Sequence, residues 1–201
     1  MKTGFSNVSL EGSEVWAVGA YCSEGKTSAV LKTAYLCAYE EGKKVVFFTN
    51  ETTKSVLMKK MDKLANGKEC KGSFKIIEIV SDDFVGAVKS ILGNEDEKVD
   101  LVIMDMVKKD SDVKNLREVA ETIGAPIMFT YSVSRIEREV AEEKKVYSGV
   151  GGKVQSEVDV SLWLLRLNEF KDQNKVLVGM SKNYKGKLED PIFVDDGFMK
   201  L

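Results

Sequence analysis

The stretch "EVWAVGAYCSEGKTSAVLKTAYLCAYEEG" (residues 14–42) decides the fold. Its opening, "EVWAVGA" (14–20), is almost continuously apolar, as in a strand buried on both faces. Its close, "KTSAVLKTAYLCAYEEG" (26–42), has a helical period and ends on a glycine. The turn between them carries Gly25, Lys26 and Thr27. Strand, glycine turn, Lys-Thr and helix in that order are the parts of a phosphate-binding loop. Main-chain N–H groups of the turn and the helix N-terminus would face the phosphates. Lys26 would reach the β- and γ-phosphates, and the Thr27 hydroxyl would meet magnesium. The loop residues expected to touch nucleotide are Ala20, Ser23, Glu24, Gly25, Lys26, Thr27 and Ser28. The strict spacing is G-x-x-x-x-G-K-[ST]; here Ala20 stands at the first glycine, and Gly19 falls one residue too early. Taken alone, the segment also admits a plain glycine turn between a strand and a helix.

Outward from this loop, apolar strand patterns alternate with helical ones. Strands are expected over 43–50, 73–80, 99–107 and 125–133, and helices over 52–67, 81–94 and 111–124. The polar segment 134–157, glycine-rich in its second half, precedes strands over 158–169 and 175–183. This alternation predicts an α/β fold: a mostly parallel central sheet flanked by helices, with an antiparallel C-terminal edge. With 201 residues, two prolines and no internal repeat, residues 1–201 read as one domain.

Two acids end strands on the rim where parallel sheets bind ligands. Asp105 ends "LVIMD" and is placed to hold magnesium through water. Glu51 follows "VVFFTN" and is placed to polarise an attacking water. Each also has an ordinary reading, as a turn cap or a solvated helix-start charge.

The composition narrows the chemistry. There is no histidine, which excludes Ser-His and Cys-His nucleophile pairs. Three scattered cysteines and no imidazole disfavour structural zinc, so a hard cation such as magnesium is expected. The odd cysteine count fits a reducing, cytoplasmic setting. No apolar run is long enough to span a bilayer, and no membrane partner is expected. A formal net charge of −2 leaves any nucleic-acid contact to a local basic patch. The segment 135–153 offers Arg135, Arg138, Lys144, Lys145 and Lys153, but Glu137, Glu139, Glu142 and Glu143 are interleaved with them. A solvated helix of mixed charge is an equal reading there.

The ordered motifs "AYCSEGKTS", "GKKVVFFTNETTKSVLMKKM", "LVIMDMV", "GAPIMFTYSVSRIER", "GGKVQSEVDVSLWLLR" and "SKNYKGK" resemble the ATPase domain of DnaB-type hexameric replicative helicases, within the RecA-like fold. The resemblance implies ATP and Mg2+ as cofactors, bound by Lys26 and Thr27. It implies Glu51 as catalytic base and Asp105 as the magnesium acid. Ser132 stands at the family's γ-phosphate sensor, usually glutamine, and Arg135 at a basic residue after it. Lys182 matches the lysine of a finger that enters a neighbour's site, and Arg138, Lys144, Lys145 and Lys153 would line the DNA channel. The implied partners are single-stranded DNA, other copies in a hexameric ring, and a primase or loader. The finger's arginine position is Tyr184, which implies slow turnover or help from Lys185 or Lys187. The family's N-terminal helical domain has no counterpart, which suggests a minimal, phage-like version or a paralogue. Two other readings stay open: a nucleotide-gated assembly or recombinase-like factor with weak hydrolysis, and a P-loop nucleotide kinase.

Overall fold

The computed structural model describes residues 1–4, 8–94, 98–108, 110–144, 152–166, 175–188 and 190–195, with the side chains of 110, 111, 144, 152, 153 and 195 excepted. Eight strands form one sheet: β1 (Val15–Ala20), β2 (Lys44–Thr49), β3 (Ser73–Glu78), β4 (Leu101–Asp105), β5 (Ile127–Ser132), β6 (Val160–Leu165), β7 (Lys175–Asn183) and β8 (Ile192–Asp195). Their order is β3-β2-β4-β5-β1-β6-β7-β8. The pairs from β3 to β6 are parallel, and β6–β7 and β7–β8 are antiparallel. The fold class read from the sequence is therefore correct, including the antiparallel edge.

The apolar strands lack alternation because both faces of the sheet are covered. On one face Trp16, Val18 and Phe47 pack with Leu31 and Tyr35 of α1 (Lys26–Tyr35) and with Leu57 and Met61 of α2 (Lys54–Ala65). On the other face Ala17, Phe48 and Phe129 pack against α3 (Phe84–Leu92) and α4 (Asp110–Ile123). Ala141 of α5 (Arg135–Lys144) and Val154 of α6 (Gly152–Glu157) join that second core. Trp16, Phe47, Phe129 and Trp163 are fully or almost fully buried. At about 1.5–3 kcal/mol for each large side chain, this apolar burial dominates the stability of the sheet.

Three details differ from the expected elements. Helix α1 runs on through a π-helical turn, Leu36–Glu40. Strand β4 ends at Asp105 because Met106 turns into the left-handed region, with φ 77°. The C-terminal segment contributes a further edge strand, β8, paired to β7 from Lys175↔Asp195 to Val178↔Ile192.

The register fixes what reaches each rim. Ala20 lies beside Ser132, and Thr49 beside Asp105, so β1, β5, β2 and β4 end together. β7 runs the other way, and Ser161↔Lys182 places Lys182 at the opposite rim.

Candidate functional site

Gly25 precedes α1 with φ 97°, a left-handed conformation that costs glycine little and other residues more. Ser23 is also left-handed, at φ 62°. These two residues fold the loop back over the end of β1. Ala20 is the last residue of β1, and its φ is not positive. A Cβ there meets no backbone strain, which accounts for alanine at the first glycine position. Gly19 has a separate reason: a Cβ on it would lie 2.4 Å from Cζ of Tyr131.

The Lys26 side chain lies back along the loop. Its ammonium donates to the carbonyls of Ala20 at 3.0 Å and Tyr21 at 3.1 Å, and the residue is only 8% exposed. Burial pushes its pKa down from the ordinary lysine range, while Cys22, Glu51, Glu24 and Asp105 pull it up. The Thr27 hydroxyl donates to Asp105 at 3.0 Å to Oδ2. The Thr130 hydroxyl donates to Asp105 Oδ1 at 2.9 Å. Asp105 is 1% exposed, and burial raises its pKa against the pull of Thr130 and Thr27; Glu51 raises it further and Lys26 lowers it. The structure thus brings Lys26, Thr27 and Asp105 together and sets Glu51 within electrostatic reach of Lys26 and Asp105.

Thr130 had no place in the sequence reading, yet it organises this rim. Besides holding Asp105 it accepts the Met106 N–H at 2.8 Å. Asn50 holds the other side of the kink by donating to the Met106 carbonyl at 3.1 Å. The left-handed Met106 is therefore fixed from two strands, a strained backbone held beside the acid. The available signal was a threonine directly after the apolar run "APIMF" (125–129). A cleft of about 370 Å³ opens on the same rim, lined in part by Asn50, Ser81, Asp82, Lys108 and Asp112.

Ser132 is exposed at the end of β5, and its hydroxyl lies 3.6 Å from the Met106 sulfur. Arg135 is exposed and pairs with Glu139 at 2.9 Å, one helical turn on. Arg138 is held: its guanidinium bonds Glu24, Glu142 and the Arg166 carbonyl. Ser28 is buried in the first turn of α1. Lys145 lies outside the described residues, as do the side chains of Lys144 and Lys153. On the far rim, Lys182 donates to the Gln155 carbonyl at 2.7 Å. Tyr184 donates its hydroxyl to Glu14 at 2.7 Å, and Lys185 pairs with the same carboxylate at 2.7 Å. Tyr184 thus anchors the turn after β7, where the family resemblance has an arginine. The rim holding Lys26 and the rim holding Lys182 are separated by the length of the sheet.

Three features of the loop fit a Mg–nucleoside triphosphate. The left-handed Gly25 and Ser23 shape a turn of main-chain amides. The ammonium rests on loop carbonyls that phosphate oxygens can replace as its partners. A hydroxyl and a carboxylate, both hard oxygen donors, meet one residue away. Among the described residues no helix is long and apolar enough to cross a membrane.

No protein-family model matches the chain, and no curated protein does. Solved structures do. One, described as an ATPase domain, superposes with a TM-score of 0.67 at 15% identity, over 90% of this chain and 80% of that one. Another, described as a DnaB-like replicative helicase and its interactions with primase, gives a TM-score of 0.66 at 14% identity, over 91% of this chain. The chain spans 55% of that second structure's length. At these identities the likeness is one of fold: a mostly parallel eight-stranded sheet with helices on both faces, in which Gly25-Lys26-Thr27 follow β1 and Asp105 ends β4.

Proposed function

We propose that this chain is an ATP-hydrolysing motor subunit that acts on single-stranded DNA in replication and works in a ring of its own copies. The observation that carries the reading is the meeting of Lys26, Thr27 and Asp105 on one rim, with Thr130 behind them. The likeness of fold to an ATPase domain and to a DnaB-like replicative helicase supports it.

In this mechanism the β1–α1 loop binds the phosphates through its amides. Lys26 exchanges two loop carbonyls for phosphate oxygens and places a positive charge where negative charge develops. Thr27 and Asp105 would hold magnesium, which would supply positive charge to offset that of the phosphates. Burial raises the Asp105 pKa, and hydrogen bonds from Thr130 and Thr27 to the charged form oppose that rise. Glu51, exposed and two residues past β2, orients the water. Ser132 lies beside the loop in register and takes the sensor position. Lys182, on the far rim, serves a neighbour's site and not its own.

The direct test is phosphate release from Mg–ATP, with and without single-stranded DNA, on material sized by light scattering. Stimulation by DNA in an oligomeric fraction is the expected result. ATP binding with no turnover in either condition would favour a second reading, a nucleotide-gated assembly factor. That reading draws on Tyr184 and Lys185, both turned back onto Glu14. Turnover that requires a phosphate acceptor instead of water would point to a kinase.

A further inference from the structure

Glu24 puts a carboxylate inside a loop built to bind an anion. It stands directly before Gly25 and Lys26 and is 4% exposed. One carboxylate oxygen accepts the Tyr21 N–H at 3.1 Å, at the start of the same loop. The other accepts Arg138 Nε at 3.1 Å. Its charge is felt at Lys26. A bare carboxylate here would repel a polyphosphate and compete with it for the ammonium.

Arg138 meets that charge from outside the loop. It lies on α5, the helix that follows the β5 end carrying Ser132. Its side chain is 17% exposed, so the pair is shielded from water. A second guanidinium nitrogen donates to the Arg166 carbonyl, just past β6, at 2.9 Å, and a third pairs with Glu142. One planar group therefore joins the phosphate loop, the helix after the sensor strand and the exit of β6. Lysine offers no such fork.

We propose that Arg138 is a positioning residue that neutralises Glu24 and so makes the phosphate loop able to accept a polyanion. This deepens the phosphate-site reading above and rests on it. Arg138 touches no nucleotide in this scheme. It acts through Glu24, by cancelling a like charge beside the phosphates and by holding the carboxylate back on the Tyr21 amide. Because the same guanidinium grips α5 and the β6 exit, a filled loop and the position of α5 are coupled.

The test is a double-mutant cycle on the full chain: unaltered, E24Q, R138Q and E24Q/R138Q. Each is titrated with ATP in excess magnesium by calorimetry, and each thermal midpoint is recorded. Removing Arg138 leaves the Glu24 carboxylate uncancelled within the loop, while Glu142 on α5 loses the same partner; the loop charge corresponds to roughly 10–100-fold weaker binding. Adding E24Q to R138Q is expected to restore most of that loss, even if the thermal midpoint stays low. A purely structural role would leave binding and midpoint falling together, with no rescue. If R138Q does not fold, E24Q and E24Q/R138Q are compared, and equal affinities are expected once residue 24 is neutral. Undiminished binding by R138Q, failure of E24Q to rescue it, or unequal affinities in that last pair each overturn the inference. An unaltered chain that binds no Mg–ATP fails at the phosphate site itself, and is distinguished by the absence of any signal before the variants are compared.

Discussion

Replacing Lys26 with alanine separates the fold from the chemistry. The side chain donates two hydrogen bonds, to the Ala20 and Tyr21 carbonyls, and is 8% exposed. The donor is charged, so losing them costs about 1.5–3 kcal/mol each, while removing a desolvated charge returns much of that cost. The net change in stability is then within about 2 kcal/mol, or a midpoint shift within about 8 °C for a chain this long. Catalysis loses more. A hydrogen bond from a charged group is worth about 1.5–3 kcal/mol, so contacts to two phosphates sum to about 3–6 kcal/mol, or roughly 10²–10⁴-fold in kcat/KM. The assay is phosphate release from Mg–ATP, paired with a thermal melt of the same preparation. A K26A chain that melts normally and turns over within twofold of the parent refutes the assignment of Lys26 to the phosphates.

Other perturbations read other parts of the structure. Gly19→Ala drives a Cβ to 2.4 Å from the Tyr131 ring, and overpacking of this kind costs about 1–3 kcal/mol; a denaturant midpoint that does not move contradicts the packing. Cys22 is exposed in the loop between β1 and α1, whereas Cys37 is buried with its thiol pushed up to about 12 by burial. At pH 8 iodoacetamide is therefore expected to modify Cys22 and spare Cys37, whose thiolate forms only as pH approaches that raised value; Mg–ATP should slow the Cys22 reaction, and mass spectrometry that finds no protection argues against nucleotide in the loop. Because Lys182 lies on the rim opposite Lys26, mixing K26A and K182A chains should recover turnover that neither shows alone. Mixed oligomers without recovery contradict a role in trans.

Local features were legible in the sequence and long-range pairings were not. Gly25, Lys26 and Thr27 are contiguous, and a strand end marks Asp105, so spacing alone brought out the loop and the acid. Ala20 looked like a defect in the loop and is none, because that residue is still strand. The β4 boundary was missed because only the backbone shows that Met106 is left-handed. Thr130 was missed because a threonine near the end of an apolar strand carries no periodic signal. Arg138 read as one base among alternating charges on a helix. Its partner Glu24 is 114 residues away, and only the β1–β5–β6 arrangement brings the two together. Tyr184 read as a missing charge, whereas its hydroxyl has a structural partner 170 residues away in Glu14.

Calorimetric titration of Mg–ATP into the unaltered chain and into D105N tests the central claim most directly. One saturable site in the unaltered chain is predicted, with binding in D105N weakened and no longer strengthened by magnesium. Absence of binding by the unaltered chain at millimolar nucleotide, or magnesium-enhanced binding of equal strength in D105N, would contradict a phosphate loop that shares a cation between Thr27 and Asp105.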